Sequence, residues 1–88
     1  MREFSIEENL KKTLNKIFKK DNVMCSAVMN KIEEILTCED VNHYKNLRKP
    51  LQDFKRVHIK SSFVLIFKYI SSEDKVVFYK FKHHDDIY

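Results

Sequence analysis

Residues 56–88 read RVHIKSSFVLIFKYISSEDKVVFYKFKHHDDIY. The middle run, Phe63 to Ile70, is apolar on both of its alternating faces. A strand reads that way when both sides are covered, so it is predicted to lie in the centre of a sheet. Just before it, residues 53–60 alternate. Val57 and Ile59 face one way, and Arg56, His58 and Lys60 the other. That pattern predicts a half-buried strand with a basic outer face. Ser61 and Ser62 make a tight connection, and SSED at 71–74 makes a hairpin loop. Lys75 to Lys82 alternates again. Strict alternation would put Val77, Tyr79 and Phe81 on one side, and Val76, Phe78, Lys80 and Lys82 on the other.

Working outward, the period changes from two to 3.6. Leu10, Leu14, Ile17 and Phe18 recur at i, i+4, i+7 and i+8, one stripe of an amphipathic helix. Glu7 and Glu8 lie in its first turn and lysines in its last, which complements the helix dipole. The lysines of this helix read as a solvated outer face or as a contact for RNA. Asp21 and Asn22 break the stripe and can cap a second helix. Met24, Val28, Ile32, Ile35 and Leu36 carry that helix to about Thr37. A link of two to four residues would fold the helices into an antiparallel hairpin. Residues 2–6, REFSI, alternate as a short strand with Phe4 and Ile6 on one face. Residues 38–52 are irregular, with Pro50 disfavouring helix at Lys49 and a short turn expected near Asn46. His43 reads there as a surface histidine.

The expected fold class is α+β, in the order β-α-α-β-β-β. A helical hairpin packs on one face of a small, mainly antiparallel sheet, leaving the other face partly open. With 88 residues the chain is expected to form a single domain, 1–88, around one core. Hydrophobic residues make up 43% and charges, well interspersed, 34%, a composition of folded rather than disordered chains. No apolar run approaches membrane-spanning length and no signal-peptide pattern opens the sequence, so a soluble cytoplasmic protein is expected. There is no glycine. Turns must therefore use Asn, Asp and Ser, and glycine-rich phosphate-binding loops are excluded. Cys25 and Cys38 fall on the second predicted helix, roughly 20 Å apart along its axis, beyond disulfide reach. Cys-x-x-Cys spacing is absent, so no zinc site is expected.

The net charge of +4 is modest, but it is unevenly spread. From Lys45 to Lys68 seven basic residues face one acid, Asp53. Such an excess suits an anionic partner, either nucleic acid or an acidic protein. Histidines and cations on an open sheet face also suit RNA cleavage without a metal. A 2′-hydroxyl attacks its own 3′ phosphate, a base removes the 2′ proton, cations take up phosphoryl charge, and an acid protonates the leaving 5′ oxygen. Histidine suits either proton step because its ordinary pKa is near 6.5. An aromatic side chain can stack on a splayed base. His58, His84, Lys49, Arg56, Lys60, Lys82 and Tyr88 would supply these parts. Spacing alone does not separate this reading from histidines that merely sit on a sheet. A metal held by His83 and His84 is not expected, because neighbours on a strand point to opposite faces.

Together with the strand order, KPL (49–51), RVHIKSSFVLIFK (56–68) and FKHHDDIY (81–88) resemble the RelE/ParE superfamily of toxins from toxin–antitoxin systems. The nearest branch is YafQ-like, in which His-Pro-Leu precedes a strand beginning His-Ile and a His-x-Asp-Leu-Phe element follows later. The resemblance implies that His58 and His84 are catalytic, placed for proton transfer and phosphate contact. It puts Tyr88 where the family has a functional Phe or Tyr, and it implies that Arg56, Lys60 and Lys82 bind the scissile phosphate. Lys49 stands where the branch has histidine, and Ser62 where it has aspartate. Both are carried as substrate-contact positions, Lys49 keeping a cation. The family's strand arginine falls near Val64.

The implied activity is that of a ribosome-dependent, cofactor-free endoribonuclease (an mRNA interferase) that cuts messenger RNA in the A site and inhibits translation. The implied partners are a cognate antitoxin, the ribosome and mRNA, with a toxin–antitoxin hetero-oligomer binding operator DNA and no membrane involved. A gyrase-binding toxin of ParE type and an inactive, antitoxin-binding homologue are the alternatives.

Overall fold

A computed structural model describes residues 1–83 and Asp85. The elements run β1 (Glu3–Ile6), α1 (Glu8–Lys20), α2 (Asn22–Thr37), a 3-10 turn (Val41–His43), β2 (Lys55–Ile59), β3 (Phe63–Ile70) and β4 (Lys75–His83). The expected β-α-α-β-β-β order is what is found. The four strands form one sheet in the order β1-β4-β3-β2, so the apolar β3 is interior as its composition requires. β4 pairs antiparallel with β3, and β3 with β2, while β1 runs parallel to β4 along the far edge.

Leu10 and Leu14 of α1 and Val28, Ile32, Ile35 and Leu36 of α2 are buried against the sheet. They meet Ile59, Leu65, Phe67, Val76, Phe78 and Phe81 in the main core. Burying each such side chain contributes about 1.5–3 kcal/mol, and Phe67→Ala would cost about 3–5 kcal/mol through the cavity it leaves. The helices are joined more tightly than expected. Asp21 alone separates them, and its carboxylate accepts the Met24 N–H at 3.0 Å to cap α2. Cys38 is the residue after α2 rather than part of it, and both cysteines are free. In β1, Ile6 packs on the core, whereas Phe4 remains 46% exposed with its ring edge-on to Phe78. Arg2 ties this edge to the fold, pairing with Asp74 at 2.9 Å and donating to the Glu39 carbonyl at 2.9 Å.

Two expectations of alternation fail. In β4, Phe78 pairs with Phe67 and Lys80 with Ile66, so Tyr79 is an extra residue in a β-bulge. The bulge resets the phase. Phe81 joins Val76 and Phe78 in the main core, rather than facing away from them. Lys82, paired with Val64, consequently lies on the face away from the helices, as does Lys80, paired with Ile66, with the unpaired Tyr79 beside it. In β2, the strand ends at Ile59. Lys60 has φ 55° and belongs to the turn, so it does not continue the outer face of Arg56 and His58.

The sheet face away from the helices carries a second, smaller apolar cluster. Val64 and Ile66 of β3 pack there under Leu47, with Phe54 alongside. Among the described residues, the irregular segment contributes Leu47 to this cover. Its 3-10 turn lies at Val41–His43, and Asn46, where a turn was expected, instead bridges to Lys55 and extends the β2 edge.

Candidate active site

The antiparallel register sets the site. On β2, Arg56 lies opposite Ile66 and His58 opposite Val64. On β4, Lys80 lies opposite Ile66 and Lys82 opposite Val64. Two rows therefore cross the helix-free face, His58–Val64–Lys82 and Arg56–Ile66–Lys80. The outer members of each row are two strand spacings apart, roughly 10 Å between Cα atoms. His58, Lys80 and Lys82 are exposed and Arg56 is half-buried.

Beside β2 the loop adds a wall. Asn46, Arg48, Arg56 and His58 line an open groove of about 410 Å³. Backbone bonds hold the wall in place: Arg56 N–H donates to the Lys45 carbonyl at 3.0 Å, and Leu47 N–H to the Phe54 carbonyl at 2.9 Å. Lys55 locks it from within. Its ammonium is buried and donates to the Tyr44 carbonyl at 3.2 Å and to Asn46 Oδ1 at 2.8 Å. Burial pushes the Lys55 pKa down, with Asp40 opposing. The imidazole of His58 thus sits within a partly walled groove, among guanidinium groups. Such a groove can hold a phosphodiester while a histidine moves a proton.

The expected residues divide as follows. His58, Arg56 and Lys82 share the helix-free face. Lys49 lies just past the groove, exposed in the turn before cis Pro50. Lys60 and Ser62 sit in the β2–β3 turn. His84 and Tyr88 lie outside the described residues. His83 stands edge-on to Phe63, with ring centroids 5.5 Å apart. Among the described residues no group of three or more His, Cys, Asp or Glu side chains is placed to hold a metal ion. The sequence reading missed Arg48 and Lys80. Arg48 sits in an irregular loop without a period to orient it, and Lys80 is brought to this face by the bulge.

No family model matches the chain. Over all 88 of its residues it is 48% identical to a protein of Methanocaldococcus jannaschii named "Putative toxin RelE4", covering 92% of that protein. The chain belongs to the RelE family of toxins. Its fold is likewise that of the family's solved structures. The YoeB/ParE toxin from Agrobacterium tumefaciens superposes with a TM-score of 0.79 at 8% identity, over 93% of this chain and 98% of that one. The intact RelBE toxin–antitoxin complex of E. coli contains a chain that superposes with a TM-score of 0.72 at 17% identity, over 94% of this chain and 96% of that one. At such identities these two likenesses are of fold alone. Among the described residues of this RelE-family chain, no helix is long and apolar enough to cross a membrane.

Proposed function

We propose that this RelE-family chain is the toxin of a type II toxin–antitoxin system, held inactive by a cognate antitoxin, and that it cuts messenger RNA in the ribosomal A site. The reading is carried by one observation. His58 stands exposed in a groove walled by Arg48 and Arg56, with Lys82 on the same face across Val64. In the proposed reaction the 2′-hydroxyl attacks the adjacent phosphorus, the P–O5′ bond breaks, and a 2′,3′-cyclic phosphate forms. One histidine takes the 2′ proton and another donates a proton to the leaving 5′ oxygen. His58 is one of the two, and His84 is proposed as the other, with Tyr88 orienting the 2′-hydroxyl. Arg48, Arg56 and Lys82 take up charge on the phosphoryl oxygens, with Lys49, Lys60 and Ser62 as further contacts. Every proton and charge in this scheme is handled by side chains, so no metal enters it. On the His-Ile pair at 58–59 and the KPL element, the chain is assigned to the YafQ-like branch.

The test is a cell-free translation system programmed with a defined message, followed by primer extension. Wild type is expected to cut within codons only when ribosomes are present. His58→Ala and His84→Ala are each expected to lower cleavage by about 10²–10⁴-fold, the usual worth of a proton-transfer group. An intact message under continued translation would discard the nuclease reading in favour of a gyrase-binding or purely antitoxin-binding protein.

A further inference from the structure

On the helix-free face, beside the phosphate groove, lies a second pocket whose lining is apolar and aromatic. Leu47, Leu51, Phe54, Ile66, Tyr79 and Lys80 enclose about 120 Å³. The rings of Phe54 and Tyr79 meet at 85° with centroids 4.9 Å apart, forming a corner. Leu51 at its rim is 47% exposed.

The pocket owes its composition to the bulge in β4. In a regular strand Tyr79 and Lys80 would point to opposite faces. Here Tyr79 is the extra residue beside the Ile66–Lys80 pair, its ring meets Phe54, and Tyr79 and Lys80 line the same pocket side by side. Bulges re-aim side chains in this way next to functional sites. In the same row, across Ile66, lies Arg56 of the phosphate groove.

We propose that this pocket receives one base of the RNA, with the neighbouring phosphates on Lys80 and Arg56. The proposal rests on RNA being the substrate and adds where a base is held. A single-stranded nucleic acid offers a flat apolar face at a fixed short distance from an anionic group, and the corner beside two cations is complementary to both. Size favours a single ring, since an apolar cavity of about 150 Å³ takes up benzene. A larger base would project past Leu51.

The test uses binding, so it is separable from cleavage. A fluorescein-labelled, fully 2′-O-methylated heptanucleotide cannot react by 2′-hydroxyl attack. A single abasic residue is walked along it, and affinity is read by fluorescence anisotropy at low salt. Removing the base at one position is expected to weaken wild-type binding by about tenfold, the scale of one base–aromatic stack. Tyr79→Leu is expected to bind the intact RNA about tenfold more weakly and to lose that position's penalty. Leu51→Gln, at a surface residue that tolerates change, should bind about fivefold more weakly and show a reduced penalty. Arg48→Gln should weaken every oligonucleotide alike and keep the penalty. The proposal is overturned if no position is favoured, if the RNA does not bind, or if the penalty persists in both Tyr79→Leu and Leu51→Gln. It is also overturned if the pocket is occupied by an antitoxin side chain and RNA does not compete. Base-dependent binding of this probe, together with an intact message under continued translation in the cell-free assay, would discard the nuclease reading and leave the pocket standing.

Discussion

His58 on β2 and Lys82 on β4 stand in register on opposite sides of Val64, on the sheet face that the helices leave open. Val64 is completely buried, so the residue between them contributes no polar group. An imidazole and a cation are thereby held on two strands of one hydrogen-bonded sheet. Their separation is set by backbone pairing rather than by a loop, which suits the precise positioning that the proposed phosphate reaction needs.

Lys82→Gln is expected to lower cleavage by about 10²-fold, the scale of removing one group that stabilises transition-state charge. Lys82→Arg should retain most of the rate because the cation remains. Lys82 is exposed, so neither change should disturb folding. Single-turnover cleavage on programmed ribosomes provides the measurement, and wild-type rates for Lys82→Gln would remove this residue from the mechanism.

Arg48 lies in an irregular loop that gives no period to orient it, and the role proposed for it is electrostatic. Arg48→Gln is expected to weaken RNA binding uniformly across sequences. The slope of log affinity against log salt should become shallower by about 0.7, as for one lost phosphate contact on a single strand. Titrations at several salt concentrations measure this directly. An unchanged slope would mean that Arg48 does not touch the backbone.

What was legible in the sequence follows from which interactions are local. The limits of β3 coincide with its eight-residue apolar run, because a strand covered on both faces needs no partner to declare itself. The second helix was readable from Asp21, whose cap is a contact within three residues. The phase of β4 beyond Phe78 was not readable. The bulge at Tyr79 arises from pairing with Ile66 and Phe67, and nothing in KVVFYKFK itself marks it. Lys55 is one of the seven basic residues between Lys45 and Lys68, and nothing in the sequence sets it apart from the exposed ones. It is buried because residues 44–46 come from elsewhere in the chain to cover the β2 edge and accept from its ammonium. His58 and Arg56 came out on one face because they precede any irregularity in their strand. Lys60 did not, because its positive φ ends the strand before it.

Tyr44 links the covering segment to α2, and its contribution is expected to depend on pH. Its hydroxyl donates to Glu34 Oε2, while its ring stands edge-on to Phe67 at 5.7 Å. That hydrogen bond is the main reason the Glu34 carboxyl lies below its ordinary value of 4.5, with Lys31 adding to it. A carboxyl lowered in the folded state stabilises the fold above its unfolded pKa, and the benefit is lost as pH falls through the native value. Burial, and then Glu34, raise the Tyr44 pKa above 10.0, so its own contribution holds below that and is lost as pH rises further. Glu34 is substantially exposed, so the bond is assigned only about 1 kcal/mol. Tyr44→Phe should lower Tm by about 5 °C at neutral pH. The gap should narrow in acid and again in strong alkali. A gap that is constant across pH would show that the hydroxyl contributes through packing rather than through the carboxylate.

Lys60 tests whether the β2–β3 turn carries strain for a purpose. Its φ of 55° is left-handed, a region that costs a residue with a Cβ roughly 1–2 kcal/mol and costs glycine nothing sterically. Asp74 has a similar φ of 49°, but a short acidic side chain tolerates that region better than lysine does. Lys60→Gly removes the steric cost and adds unfolded-chain entropy that offsets part of the gain. The net expectation is stabilisation by about 0.5–1 kcal/mol, seen as a Tm several degrees higher. Lys60→Gly also removes a cation next to the strand that bears His58, so cleavage is expected to fall while stability rises. Strain retained at a functional position gives that opposite pair of effects. Thermal melts and cleavage rates on the same variant decide the matter. If stability rises and the rate is unchanged, Lys60 is not a phosphate contact. If stability falls, the lysine side chain holds the turn through contacts worth more than the strain it bears.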